Sequence, residues 1–169
     1  MQPSTAPGGE RYTGTQIALH WAIVGLVVVQ WLSHDAMEDF WDSVEDGEAG
    51  GIPDDPIALL HMASGASILL LMLFRIFVRL RFGAPALPAG MPAILKLAAR
   101  LNHFAFYAIL IVMPLSGATA IFLGVEDAAD LHKTLVPVLF LLIAAHLGGV
   151  AYHTFLRRDG LLWRMLPLR

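Results

Sequence analysis

The 169-residue chain contains no cysteine. This absence excludes disulfides, thiolate zinc sites, iron–sulfur clusters, cysteine nucleophiles and haem attached covalently through thioethers. Charged residues are also scarce, at 15% of the chain, whereas soluble domains carry about 25%. With a net charge of −3, the sequence gives no support for a nucleic-acid partner.

Apolar residues, in contrast, make up 57% of the chain, and the mean hydropathy is +0.65. These values exclude a disordered chain and disfavour an ordinary soluble enzyme. A bilayer-spanning helix needs about 20 mainly apolar residues, and the first apolar run reaches this length if its helix begins near Thr13. No run contains Asp or Glu. The four runs are Ile17–Leu32, Ile57–Leu80, Leu101–Val125 and Leu131–Leu156.

Four such runs joined by short segments predict an all-α integral membrane protein with an antiparallel four-helix transmembrane bundle. We expect an N-terminal tail over residues 1–12 and one transmembrane domain over residues 13–167.

The charges differ between the two ends of this bundle. The segment Ser33–Pro56 has nine acidic and no basic residues, and Glu126, Asp127 and Asp130 precede the fourth run. Since basic segments stay in the cytoplasm, we expect both termini to be cytoplasmic in a bacterial inner (plasma) membrane, with the acidic segments outside. The basic residues of the other end are Arg11, Arg79, Arg81, Lys96, Arg100, Arg157, Arg158, Arg164 and Arg169.

Six of the seven histidines lie in or at the ends of the apolar runs, where an ionisable residue suggests a functional site. The direction of each helix places His20 and His146 in the inner half of the membrane, and His61 and His132 in the outer half. His146 follows His132 by 14 residues, which is roughly 21 Å along nearly one helix face. A single such histidine is best interpreted as a hydrogen-bonded core residue, whereas the matched depths predict two pairs that bind a cofactor.

Two imidazoles on facing helices are the axial ligands that a six-coordinate b-type haem requires. We therefore predict two haem b groups, one held by His20 and His146 and the other by His61 and His132. Gly25, Gly65, Gly148 and Gly149 lie near these ligands and could leave room for a macrocycle, or could serve only helix packing. A transporter for metal ions or protons is disfavoured because the runs lack carboxylates.

The positions of four further polar residues suggest other roles. Arg75 follows His61 by 14 residues, so it lies on the same face at the inner level and suits a haem propionate. His103 suits a propionate or a hydrogen bond to a ligand, or plain packing. His153 suits an inner quinone or proton step, or an interfacial position, and His34 is expected to be solvated.

Several short motifs in this order and spacing resemble the signature of the bacterial cytochrome b561 family. The resemblance runs from about Tyr12 to Pro167. It implies a di-haem membrane cytochrome with His20, His61, His132 and His146 as axial ligands, which exchanges electrons between the outer face and ubiquinone. The motifs are His20-Trp21, His61-xxx-Gly65 followed by Arg75, His103-xxx-Tyr107, Pro114-Leu115-Ser116-Gly117, Leu131-His132-Lys133, and Arg158 to Pro167.

One branch of that family is a superoxide:ubiquinone oxidoreductase, from which this chain departs in two respects. The loop Gly124–Asp130 is short, and the acidic segment would slow the arrival of an anion. Lys133 is the only basic residue at the outer end. These features favour a neutral quinol or a periplasmic redox partner with a basic surface over superoxide.

The sequence therefore predicts transmembrane electron transfer between a periplasmic donor or acceptor and membrane quinone. The alternative is a haem-bearing anchor subunit that docks a periplasmic redox protein or dehydrogenase.

Overall fold

The structure is a computed structural model that describes residues 11–86 and 90–166. Most of the predicted tail over residues 1–12 lies outside these ranges, as do the last predicted domain residue, Pro167, and Arg169. The described residues form five α-helices and no strand. They are α1 (Gly14–Leu32), α2 (His34–Glu45), α3 (Pro56–Phe82), α4 (Ala93–Leu123) and α5 (Glu126–Ala151), followed by a π-helical turn (Tyr152–Arg157) and a 3₁₀ turn (Leu162–Arg164).

Side-chain caps mark the starts of α1 and α3. Thr13 caps α1: its hydroxyl accepts from the Gln16 N–H, and the Gln16 side chain accepts from the Thr13 N–H. Asp55 caps α3 by accepting from the N–H groups of Ile57 and Ala58, and Pro56 occupies the first helical position. These side chains satisfy backbone donors that a helix start leaves free. The predicted helix start near Thr13 agrees with this cap.

Two of the long helices end at a glycine, α3 at Gly83 and α4 at Gly124. Gly124 ends α4 with a φ of +64°, in the left-handed region that side-chain-bearing residues rarely adopt. α5 then begins at Glu126. The chain thus reverses direction within a few residues, and α4 and α5 pack against each other as antiparallel neighbours.

Four of the helices are long and apolar enough to cross a membrane: α1, α3, α4, and α5 with its π-helical extension to Arg157. Many of their large apolar side chains face outward, including Leu70, Leu80 and Leu141, which are 66%, 82% and 70% exposed. Such a surface suits lipid rather than water. The predicted all-α architecture with four membrane-spanning helices is confirmed.

The closely packed neighbours are α1 with α3, α3 with α4, and α4 with α5. Ile23, Ile68, Met72, Ile109 and Leu110 form the buried centre of this arrangement. Leucines of α5 that lie in sequence between His132 and His146 pack against the same cluster. An apolar layer therefore separates the two histidine levels.

Two features of the helices differ from the sequence expectation. The acidic segment, predicted only as a connection, contains α2, which packs against α3; it buries Trp41 and leaves its acidic side chains largely exposed. α4 begins at Ala93 rather than Leu101, because Lys96 and Arg100 interrupt the apolar run without interrupting the helix.

Candidate functional site

The structure brings four of the sequence-selected histidines together as two pairs. His20 of α1 lies beside His146 of α5, with ring centres 6.3 Å apart. His61 of α3 lies beside His132 of α5, with ring centres 6.5 Å apart. These are the partners that the depth argument predicts.

Each pair has the spacing that suits one metal ion between two imidazoles. A metal–nitrogen bond is about 2 Å long, so two ligating rings have centres about 6 Å apart. The helices that carry each pair, α1 with α5 and α3 with α5, are not among the closely packed neighbours of the described chain. Both pairs thus join helices with a wider separation, as a flat cofactor between them requires.

The ring of His132 is fixed by hydrogen bonding and by close packing. Its Nδ1 lies 2.8 Å from the Met113 carbonyl oxygen, which can only accept, so Nδ1 carries the proton. A Cβ added at Gly117 would lie 3.1 Å from this nitrogen and 3.2 Å from Cε1. The close approach of α4 therefore leaves little room for a side chain at position 117, and Nε2 of His132 is left to bind a metal.

His61 is fixed from the end of α1. The Ser33 hydroxyl donates to the Val29 carbonyl at 2.7 Å. Its oxygen can therefore accept from His61 Nδ1, which lies 3.3 Å away. The Gln30 amide also donates to the His61 carbonyl at 2.6 Å. Sequence reasoning missed Ser33 and Gln30, because only the packing of α1 on α3 brings them to His61.

Aromatic rings lie beside the pair formed by His20 and His146. His146 makes edge-to-face contacts with Phe106 and with His103, whose ring centres are 5.7 Å and 5.4 Å away. His103 donates from Nδ1 to the Ala99 carbonyl at 2.6 Å. Of the alternatives left open for His103, the structure shows packing, because its ring contacts the ring of His146 edge to face and its Nδ1 bonds to a backbone carbonyl.

Arg75 lies among polar side chains near the N-terminal end of α1 and the C-terminal end of α3. Its Nε donates to the Tyr107 hydroxyl at 3.4 Å, while the buried Nη1 has no hydrogen-bond partner among the described residues. Tyr12, Gln16 and Arg79 line the same cavity. A partly buried guanidinium with one buried, spare donor suits a carboxylate of a bound group.

The glycines near the histidines fall into two groups. A Cβ added at Gly25, Gly148 or Gly149 would meet no atom within 4 Å, so the space beside these backbones could accommodate a bound group. A Cβ at Gly65 would instead lie 3.6 Å from the Gln30 side chain. Gly65 therefore faces α1.

The remaining two histidines pair with acidic side chains. His34 Nε2 lies 3.6 Å from Glu38 on the exposed surface of α2. His153 is 5% exposed, and its Nδ1 lies 2.6 Å from Asp159. Burial alone would raise the pKa of Asp159, but hydrogen bonds from His153 and from the Leu161 N–H outweigh it and hold the pKa below its usual value. Sequence reasoning did not identify Asp159.

Comparison with known proteins identifies a family and several relatives of this chain. Residues 11–168 match the family model described as prokaryotic cytochrome b561. Cytochrome b562 of Cereibacter sphaeroides is 33% identical over 94% of this chain and 96% of its own length. Cytochrome b561 homolog 1 of Escherichia coli is 27% identical, over 94% and 98%. The probable superoxide oxidase CybB of Yersinia pestis is 25% identical, over 94% and 97%.

Proposed function

Because the chain belongs to the prokaryotic cytochrome b561 family, and is therefore a membrane haem protein, we propose that it transfers electrons across a bacterial membrane through two b-type haems. The observation that carries the proposal is the presence of two histidine pairs, with ring centres 6.3 Å and 6.5 Å apart. They lie at opposite ends of α5, since His132 and His146 are separated by about four helical turns.

We assign His20 and His146 as axial ligands of the inner haem, and His61 and His132 as those of the outer haem. The Nδ1 hydrogen bonds of His61 and His132 leave Nε2 as their ligating atom. The spare donor of Arg75 is assigned to a propionate of the inner haem, because it is buried without a partner. The iron supplies one-electron chemistry.

The chain's own residues provide ligation, spacing and exclusion of water. A haem held by two histidines would have no open coordination position, which would disfavour binding of oxygen at the metal. The cluster of Ile23, Ile68, Met72, Ile109 and Leu110 keeps the region between the two levels dry. The apolar outer surface of the four helices is compatible with access by a lipid-phase quinone, and ubiquinone is the proposed substrate.

We orient the molecule with both termini in the cytoplasm, because α2 and the start of α5 carry acidic residues and the opposite end is basic. The outer haem would then exchange electrons with a periplasmic donor or acceptor. A relative at 25% identity is named a probable superoxide oxidase, but the acidic outer end favours a neutral quinol or a partner with a basic surface.

The second candidate function is that of a haem-bearing anchor subunit. The exposed acidic side chains of α2 favour it, because they could dock a basic periplasmic redox protein or dehydrogenase. The isolated chain should reduce or oxidise quinone under the first function. Under the second, electron exchange should require the docked partner and should weaken as salt is added.

Single replacements of the four ligands test the assignment. Replacement of His20 or His146 by alanine should remove one haem, and replacement of His61 or His132 should remove the other, as measured by haem content and redox titration. His34→Ala is the control, since the side chain of His34 is exposed on α2 beside Glu38; it should retain both haems. Loss of the same haem from His20→Ala and His61→Ala would overturn the pairing.

A further inference from the structure

Only two buried side-chain donors in residues 11–86 and 90–166 lack a hydrogen-bond partner: Arg75 Nη1 and Trp41 Nε1. Buried polar groups nearly always have partners, so each exception calls for an explanation. Arg75 is assigned above to the inner haem. Trp41 lies at the other end of the molecule, and its indole N–H takes no part in the haem-binding contacts assigned above.

Trp41 lies close to the outer histidine pair. It is 6% exposed and packs against Ala120 and Ile121 of α4 and Ala129 of α5. Ala120 is three residues beyond Gly117, the position whose Cβ would contact the His132 ring. Ala129 is three residues before His132. The indole thus lies about one helical turn, or about 5 Å along the helix axes, from the level of His132.

A cation lies beside the same indole. Lys133, the neighbour of His132, has its Nζ 5.9 Å from the centre of the Trp41 ring. No carboxylate in the described part of the chain lies within ion-pair distance of this ammonium, although the surrounding segment is strongly acidic. An indole N–H donor without a partner and a cation over the face of the same ring form a favourable environment for an anionic oxygen.

We propose that Trp41 and Lys133 form the carboxylate-binding pair for the propionates of the haem held by His61 and His132. The proposal rests on the proposed function, because it requires a haem at the outer pair. Trp41 and Lys133 would then serve the propionates of this haem as Arg75 serves a propionate of the haem held by His20 and His146. A diffusible anion from the outer side has the same chemistry, but the burial of Trp41 favours a carboxylate that enters together with the haem.

Trp41→Phe tests the role of the indole N–H, because it keeps a ring of similar packing and removes the donor. Without the donor, the propionate charge is less compensated and the oxidised haem is favoured. We expect the midpoint potential of one haem to fall, by about 30 mV for a threefold shift in its one-electron equilibrium. The other haem should be unchanged. Lys133→Gln should lower the potential of the same haem, which provides a second variant at an exposed position.

Trp31→Phe is the matched control, since Trp31 is 64% exposed; it should leave both potentials unchanged. The carboxylate stretching bands in the infrared redox-difference spectrum should shift in Trp41→Phe and not in Trp31→Phe. A role of Trp41 in packing alone would not shift them.

Unchanged potentials in both Trp41→Phe and Lys133→Gln, with both haems retained, would overturn the proposal. So would a wild-type potential that varies with acetate or chloride concentration and loses this dependence in Trp41→Phe, because the pair would then bind a diffusible anion. If His61→Ala and His132→Ala remove different haems, the ligand assignment within the proposed function fails instead, whatever Trp41→Phe shows.

Discussion

Replacement of Gly117 by alanine should selectively weaken the outer haem. The added methyl group would lie 3.1 Å from Nδ1 and 3.2 Å from Cε1 of His132, closer than van der Waals contact. The ring cannot retreat freely, because Nδ1 is held by the Met113 carbonyl at 2.8 Å. Overpacking at such a site costs about 1–3 kcal/mol, which corresponds to about 5- to 150-fold weaker retention of the haem.

The assay is haem content per protein in detergent, together with a redox titration that resolves the two haems. Gly117→Ala should lose the component that His132→Ala loses, and retain the component that His20→Ala loses. Gly65→Ala is the matched control and should retain both haems. Its methyl group would meet only the flexible Gln30 side chain, at an ordinary van der Waals distance of 3.6 Å. Full retention of both haems with unchanged potentials in Gly117→Ala would refute the reasoning from the close approach of α4 and α5.

Three further predictions concern side chains that position or stabilise these groups. Arg75→Gln should lower the potential of the inner haem in a redox titration, because a propionate charge loses its buried partner, and an unchanged potential would argue against the contact. Ser33→Ala should raise the potential of the outer haem, because His61 loses a hydrogen-bond acceptor and becomes a weaker donor to iron, whereas Ser33→Thr should restore it. Because the folded pKa of Asp159 is lowered, its hydrogen bond with His153 contributes stability above the usual pKa of an aspartate, about 4, and this contribution is lost as pH falls through the lower, folded pKa. Thermal unfolding at a series of pH values should show this loss in the wild type and a smaller one in Asp159→Asn, and identical pH profiles would contradict it.

The sequence was sufficient to predict the four long helices, because the lipid environment demands long apolar runs. It was less informative where polar residues lie on a helix. Lys96 and Arg100 hid the first turns of α4, and the acidic residues of α2 obscured its helical character. Four residues of α2 nevertheless have the spacing of an apolar helix face: Met37, Phe40, Trp41 and Val44. Trp41 is buried with Ala120, Ile121 and Ala129, and the other three pack against this cluster.

The histidine partners could be predicted because helix direction and rise translate position along the chain into depth in the membrane. Their hydrogen bonds could not, because these depend on how the helices are rotated and how closely they approach. Ser33 reaches His61 from the end of another helix, and Met113 offers His132 a backbone carbonyl that no side-chain pattern reveals. The role of Gly117 likewise becomes apparent only from the distance to the His132 ring.

The central claim is that one chain holds two b-type haems, each between two histidines. The most direct test is the haem-to-protein ratio of the purified chain, measured from its pyridine haemochrome spectrum against quantitative amino-acid analysis. The account predicts two haem b groups per chain. A colourless protein, or a ratio of one that does not rise when the chain is produced with excess haem, would contradict it.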